Sequence, residues 1–457
     1  MNFLNQEDTI CALSTAGGMG AIALIRLSGK NAIEIVEKVF SKTLADKNSH
    51  TVHFGQIRRD QVILDEVLVT ILRNPRSFTG EDQLEITCHG SVYIQSQLLA
   101  LLLEKGARLA EPGEFSMRAF MNGKMDLSQT EAIADLISST SEAAHKVAMH
   151  QMRGGFSEEI NELRQSLMDF ASLVELELDF SEEDVEFADR AQLIDLVDKV
   201  NAKVAALLHS YKLGNVIKNG VPVAIVGSPN AGKSTLLNAL LKEEKAIVSP
   251  IAGTTRDVIE DTIVLNGINF RFIDTAGLRE TKDSIERLGI ERAYAQIRKA
   301  SVILLLIDLS ETKSAAVLNQ IEKFRTQALT ETQTLIPVFN KLDEVKNADF
   351  EELKGKGVFI SAKNNWHLDE LIEHLSAEVA GYGQTNETIV TNVRHYEILK
   401  KCELSLQRVQ EGLKNQIPGD LLAMDIRQTL HHLGEITGQI TSDDLLGNIF
   451  ANFCIGK

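Results

Sequence analysis

The chain has 457 residues, 44% hydrophobic and 24% charged, with a formal net charge of −17 at pH 7. That length holds two to four domains with full cores, and the acidic balance excludes non-specific nucleic-acid binding by the surface as a whole. No apolar run nears the ~20 residues of a membrane span.

Met1–Asp8 carries neither the basic region nor the apolar core of a signal peptide. Four scattered cysteines (Cys11, Cys88, Cys402, Cys454) show no metal spacing and no disulfide density. A cytoplasmic, reducing location with no membrane contact is expected.

Residues 1–120 read as a mixed α/β domain. Ala21–Leu27, Val62–Leu72 and Leu84–Cys88 are predicted strands, and Ala32–Phe40 and Val92–Glu104 predicted helices. Two loops, Ser77-Phe-Thr-Gly-Glu-Asp82 running on to Thr87-Cys-His-Gly90, and Glu111-Pro-Gly-Glu-Phe-Ser116, are rich in carboxylates and glycine. Such loops are ordinarily turns with solvated acids. From 121 the pattern turns helical. Ser128-Gln-Thr-Glu131 reads as a capping box, and helical spacing continues past a break at Gly154-Gly155 to Leu208. Residues 157–189 hold twelve acids against one base, so the run Glu175–Glu186 reads as a solvated helix face or end. Helix returns from about 390 to 435. Inserted domains leave and re-enter their host at nearby points. The expected organisation is therefore a helical domain, 121–218 plus 383–457, carrying residues 219–382 as an insert.

That insert opens on a nucleotide motif. Val223–Val226 reads as a buried parallel strand, Gly227–Ser234 fits G-x-x-x-x-G-K-[ST], and Thr235–Leu241 reads as a helix. Backbone N–H groups of Asn230, Ala231, Gly232, Lys233, Ser234 and Thr235 would wrap phosphates at a helix N-terminus. Lys233 would reach the β- and γ-phosphates, and Ser234 would offer a hydroxyl to Mg²⁺. Ser249, Pro250, Ile251, Ala252, Gly253, Thr254 and Thr255 follow in a loop where a threonine, Thr255, completes the Mg²⁺ shell. Asp274, Thr275, Ala276 and Gly277 give an Mg²⁺-side carboxylate and a γ-phosphate donor. Leu335–Phe339 reads as a strand ending in Asn340-Lys341-Leu-Asp343, where an aspartate accepts both N–H donors of guanine. Ser361-Ala362-Lys363 closes over the base. In that order these segments specify GTP on a mostly parallel, doubly wound sheet. Leu278 stands where many GTPases place a water-positioning glutamine. Arg279, Glu280, Asp283 and Glu286 lie nearby, each by itself an ordinary surface charge.

Across essentially all 457 residues the chain resembles the MnmE (TrmE) family. The resemblance rests on Ser77-Phe-Thr-Gly-Glu-Asp82, Pro112-Gly-Glu-Phe-Ser116 with Asn122-Gly-Lys-Met-Asp-Leu127, Ile251-Ala-Gly-Thr-Thr-Arg-Asp257 with Asp274-Thr-Ala-Gly-Leu-Arg279, and the ending Thr441-Ser-Asp-Asp-Leu-Leu-Gly-Asn-Ile-Phe…Phe453-Cys-Ile-Gly-Lys457. It implies a three-part protein: an N-terminal folate-binding domain that also dimerises, a discontinuous helical domain and an inserted GTPase. With a flavoprotein partner, MnmG, in a heterotetramer or larger complex, the family adds an aminomethyl or carboxymethylaminomethyl group to C5 of a tRNA wobble uridine. The donor it implies is a tetrahydrofolate, in 5-formyl or methylene form, and the tRNA is met directly or through the partner. Arg26, Glu85 and Lys124 align with folate contacts, and Lys457 lies near them. Potassium is implied at Asn230, Ser249, Ile251 and Thr254, with Ser249 standing where threonine is expected. Hydrolysis would then rest on Lys233, Asn230 and Glu286. Cys454 is either a buried structural thiol or a functional one beside the folate; a terminal Lys457 argues against prenylation. A competing reading is a GTP-switched ribosome-assembly factor resembling Era or Der. No added basic RNA-reading motif or repeated phosphate loop supports it. A GTPase serving only as a scaffold is a third, with Leu278 read as lost activity.

Overall fold

A computed structural model describes residues 8–179, 190–242, 261–273, 298–310, 314–329, 333–345, 350–380, 388–415, 417, 419–451, 453 and 455–456. Two compact units emerge, residues 1–137, 150–201 and 401–457 in the first and 138–149 with 202–400 in the second.

The first unit opens with β1 (Ile10–Leu13), β2 (Ile22–Ser28), α1 (Ala32–Glu37), β3 (Thr51–Arg59), β4 (Val62–Leu72), β5 (Gln83–His89), α2 (Val92–Glu104) and β6 (Arg108–Leu109). The strands form one sheet, order β3-β4-β5-β2-β1-β6, antiparallel except where β6 pairs with β1. Alternation along β4 and β5 makes the sheet one-sided. Ile25, Leu27, Val67, Val69, Ile86 and Leu98 fill the buried side with α1 and α2. The first helix is shorter than its apolar pattern. It stops at Glu37, and Phe40 instead bridges to Ile57 of β3.

Next come α3 (Glu114–Met121), α4 (Leu127–Ser138), α5 (Glu142–Met152), α6 (Gly155–Asp179) and α7 (Arg190–Asn219). The capping box of α4 lies two residues earlier than its sequence pattern. Asp126 Oδ1 accepts the Gln129 N–H at 2.9 Å, and Gln129 Oε1 accepts the Asp126 N–H at 2.9 Å. Ser128 already lies inside the helix and donates to Asp126. A carboxylate is a better acceptor for the free N–H groups of a first turn than a hydroxyl, so Asp126 wins. Along α6 the buried residues Phe156, Ile160, Leu163, Leu167, Phe170 and Val174 recur at four- and three-residue steps, a continuous apolar stripe. The acidic run beyond Asp179, at 180–189, lies outside the described residues.

The second unit is built on β7 (Val221–Gly227), α8 (Lys233–Lys242), β8 (Asp261–Leu265), β9 (Ile268–Phe272), β10 (Val302–Asp308), α9 (Ser314–Ala328), β11 (Thr334–Asn340), β12 (Val358–Phe359) and α10 (Leu368–Ala380). Its sheet runs β12-β11-β10-β7-β9-β8, every pair parallel except β8 with β9. Those two are joined by Asn266-Gly267, both with positive φ, as a two-residue hairpin turn requires. Every residue of β10 is buried, which is why its sequence before the terminal Asp308 is an unbroken apolar run. Chain order reverses between β7 and β10. That opens a crevice at their C-terminal ends.

Then α11 (Val393–Lys414) starts in the second unit and ends in the first, followed by α12 (Gly419–Thr437) and α13 (Asp443–Phe450). The helical pattern over 390–435 is thus two helices. Within the first unit α12 packs along α6. Met117, Leu127, Leu446 and Phe450 seat α13 against α3 and α4. Among the described residues no helix is long and apolar enough to cross a membrane.

Candidate functional site: a phosphate loop and a buried arginine cluster

Gly227 ends β7 opposite Leu306 of β10, and a Cβ there would meet the Leu306 carbonyl oxygen at 2.3 Å. Only glycine lets the two strands meet at this point. The loop then turns through Asn230, at φ 64°, and Gly232, at φ 96°, into α8. A Cβ on Gly232 would meet Asn340 Nδ2 at 2.3 Å. Lys233 folds back over the loop, donating to the carbonyls of Gly227 at 3.0 Å and Ser228 at 2.8 Å. Burial lowers its ammonium below the ordinary lysine range. A half-buried cation that, among the described residues, donates to loop carbonyls at a helix N-terminus suits a polyphosphate.

The residues expected to read the base sit beside that loop. Buried Asn340 donates to the Ala231 carbonyl at 2.7 Å and accepts the Ala362 N–H at 3.0 Å. One amide therefore ties the phosphate loop to the Ser361–Lys363 segment. Asp343 Oδ1 accepts the Ser361 hydroxyl at 2.6 Å, which fixes the carboxylate. Lys341, at φ 65°, turns instead to Asp308 at the end of β10, with 2.5 Å between Nζ and Oδ2. Burial pushes the Asp308 carboxyl up, but the hydrogen bonds from Lys341 and Ser310 outweigh it and hold the group below the usual range. Asp308 escaped the sequence reading because it looks like a strand end followed by a turn. Ser234 and Thr235 open α8, with Thr235 exposed, and Lys363 is exposed. Ser249–Thr255, Asp274–Gly277 and Glu286 lie outside the described residues, as do Cys454 and Lys457.

In the first unit, Arg26 and Glu85 stand opposite each other on β2 and β5, with Arg26 Nε 3.0 Å from Glu85 Oε1. The Arg26 guanidinium lies 5.5 Å from the centre of the Phe78 ring and 5.7 Å from that of Phe115. Lys124 is not part of that pair. It donates to the Pro75 carbonyl at 2.8 Å and flanks Gly80 in the same loop.

Glu81 and Glu114 of the two flanking loops are not solvated turn residues, contrary to the sequence expectation, whereas Glu111 is exposed as expected. Arg118 is 0% exposed and donates to Glu114 at 3.0 Å, to Glu81 at 3.2 Å, and to Asp8 at 2.8 Å. Arg108 adds two bonds to Glu114, at 2.6 and 3.0 Å. Glu81 also accepts the Ser28 hydroxyl at 2.7 Å. This cluster clamps the loop bearing Phe78 to the start of α3, which bears Phe115. Its sequence signal was the i, i+4 pair Glu114 and Arg118, on an otherwise uncharged helix.

A glycine-rich phosphate loop at the switch point of a mostly parallel sheet, with Asn340 and Asp343 at the neighbouring strand end, defines a P-loop GTPase domain. The description "MnmE helical domain" matches residues 127–454, and "GTP-binding protein TrmE N-terminus" matches residues 9–124. The chain is 54% identical to the tRNA modification GTPase MnmE of Cytophaga hutchinsonii, over 99% of this chain and 98% of that one. To the protein of the same name from Flavobacterium psychrophilum it is 53% identical, over 99% of each. The solved G domain of the T. maritima FeoB iron transporter is 27% identical over 36% of this chain and 99% of its own length, at a TM-score of 0.25. The chain belongs to the MnmE (TrmE) family of tRNA modification GTPases.

Proposed function

We propose that the chain hydrolyses GTP in the cytoplasm and, with a flavoprotein partner of the MnmG kind, modifies C5 of a tRNA wobble uridine using a tetrahydrofolate one-carbon donor. The observation that carries the GTP half is the Asn340 amide, which joins the phosphate loop to the segment that would cover the base. Asp343, held by Ser361, would then accept guanine N–H groups. Asn230, in a left-handed turn of the phosphate loop, suits a monovalent-cation ligand, and potassium there would neutralise charge between the β- and γ-phosphates. Ser249, Ile251 and Thr254 would complete its shell, Ser234 and Thr255 would hold Mg²⁺, and Glu286 would steer the water.

The folate half is supported by Arg26 and Glu85. A glutamate-tailed pterin needs a cation for its carboxylates and an acceptor for its N–H groups, and the two aromatic rings beside Arg26 offer stacking faces. Lys124, Lys457 and Cys454 would border it. Homodimerisation fits the same face of the sheet. Phe54 and Leu68, directly opposite on β3 and β4, are both exposed, in the row beside the one that holds Glu85 and Arg26. The organisation that accommodates this is a folate domain at 1–120, helical segments at 121–218 and 383–457, and the GTPase at 219–382.

Turnover of GTP at equal ionic strength in potassium and in sodium tests the hydrolytic part. Faster turnover in potassium, abolished by Asn230→Ala, is the expected result; equal rates reject the ion. The modified-nucleoside profile of tRNA from cells with and without the gene tests the rest. A ribosome-subunit defect with unaltered wobble uridine would favour the assembly-factor reading.

A further inference from the structure

His89 closes β5, and its Nδ1 lies 2.6 Å from Asp65 Oδ1, while its backbone N–H donates to Asp65 Oδ2 at 2.8 Å. The Asp65 side chain is 7% exposed and that of His89 68%. A carboxylate only accepts, so Nδ1 carries the hydrogen and Nε2 is left as the acceptor on a largely exposed ring. Asp65 Oδ1 also accepts the Glu66 N–H at 2.9 Å, so the carboxylate is held by two backbone donors. The imidazole is a third donor on this fixed carboxylate, which sets the ring's tautomer and direction.

Two contacts tie the dyad and the C-terminal tail to opposite roots of one loop. Gly20 N–H donates to the Gly90 carbonyl at 3.0 Å, and a Cβ on Gly90 would meet the Gly20 carbonyl oxygen at 2.4 Å. The exposed glycine-rich loop at 16–20 is thereby pinned to His89-Gly90. At the other root of that loop, the Ser14 hydroxyl donates to the Gly456 carbonyl at 3.1 Å, and a Cβ on Gly456 would meet the Leu13 carbonyl oxygen at 2.4 Å. One short loop thus runs between the dyad and the C-terminal tail. Along β5, His89 stands four residues from Glu85, about 14 Å at ~3.4 Å per residue.

We propose that His89 is an acid–base residue of the one-carbon chemistry and Asp65 its positioning residue, an inference that rests on the folate reading above. Nε2 takes a proton from an amine nitrogen that carries or receives the one-carbon unit. That N–H bond breaks, its electron pair stays on the nitrogen, and a new N–H bond forms on Nε2. The Asp65 carboxylate stabilises the resulting imidazolium, and the proton returns by the reverse step.

The test uses the full chain with its flavoprotein partner, tRNA and methylene-tetrahydrofolate, following modification, GTP turnover and melting temperature. His89→Ala and His89→Gln are expected to slow modification by about 10²-fold or more, with GTP turnover and melting temperature unchanged. Added imidazole should restore part of the rate to His89→Ala and none to His89→Gln, whose side chain fills the space. Undiminished modification in both variants, or a loss that imidazole does not relieve, makes the pair a structural cap and overturns the proposal. A wild-type chain that modifies tRNA without any folate, or not at all, removes the folate reading and this inference together. A folate-dependent wild type beside a fully active His89→Ala removes only the inference.

Discussion

At the scale of single residues, Arg118 and Glu114 show how a buried ion pair becomes tolerable. Each charge is surrounded by others, Asp8, Glu81 and Arg108, so their desolvation is offset by several short contacts rather than one. Burial pushes the Glu114 carboxyl up, but Arg108, the Glu111 N–H and Arg118 outweigh it and leave the group below its ordinary 4.5. A depressed carboxyl contributes stability that is fully present above 4.5 and is lost as pH falls through the lower folded value. Glu114→Gln should therefore destabilise the first unit by about 3 kcal/mol at neutral pH, and the gap from wild type should narrow below pH 4.5. Melting temperature against pH for the two proteins checks this; curves that stay parallel into acid would show that Glu114 is not the titrating partner.

At the scale of elements, the phosphate loop depends on a close approach that no side chain permits. Gly232→Ala would combine a left-handed φ with a Cβ 2.3 Å from Asn340 Nδ2. Such strain costs about 1–3 kcal/mol, or roughly 5- to 150-fold in nucleotide affinity if it falls on the bound form. Gly267→Ala is the matched control. It carries a similar φ of 77° in the β8–β9 turn, but its Cβ meets nothing within 4 Å. It should lower the melting temperature modestly and leave GTP affinity unchanged in titration. Equal affinity losses in both variants would mean that backbone strain, not the Asn340 contact, is what matters.

At the scale of the whole molecule, the first sheet is covered unevenly. Near β1 its outer face is closed by Phe115 and Ala110, with Phe78 packed against them, while near β3 and β4 it shows Val52, Phe54 and Leu68 to solvent. Burying Phe and Leu side chains is worth about 1.5–3 kcal/mol each, enough for a second copy to use this face. Phe54→Glu with Leu68→Glu would place four carboxylates across a two-fold contact, because the two residues pair directly. If the chain pairs through this face as proposed, sedimentation should show pairs for the wild type and single chains for the double variant. A double variant that still pairs would move the dimer contact elsewhere.

The strand, glycine loop and helix of the phosphate loop were legible in the sequence because they are local. A phosphate loop needs its strand, glycines and helix in immediate succession, and Asn340 and Asp343 need only a strand end. The alternating apolar residues of β4 and β5 and the unbroken run of β10 likewise announce their burial. Long-range pairing decided the rest. β1, β3 and β6 carry too few residues or too mixed a pattern to declare themselves, and they exist because a neighbouring strand accepts their hydrogen bonds. The start of α4 was misread by two residues because Ser128 and Asp126 are both good caps in sequence, and only the folded turn shows which one the free N–H groups reach. Asp308 met Lys341, and His89 met Asp65, across strands distant in sequence. Charged residues carry no periodic signal, and whether a carboxylate is a solvated turn or a buried partner depends on which cation the chain brings to it. Composition and local pattern determined the class of this protein; tertiary contacts decided which of its charges are buried and paired.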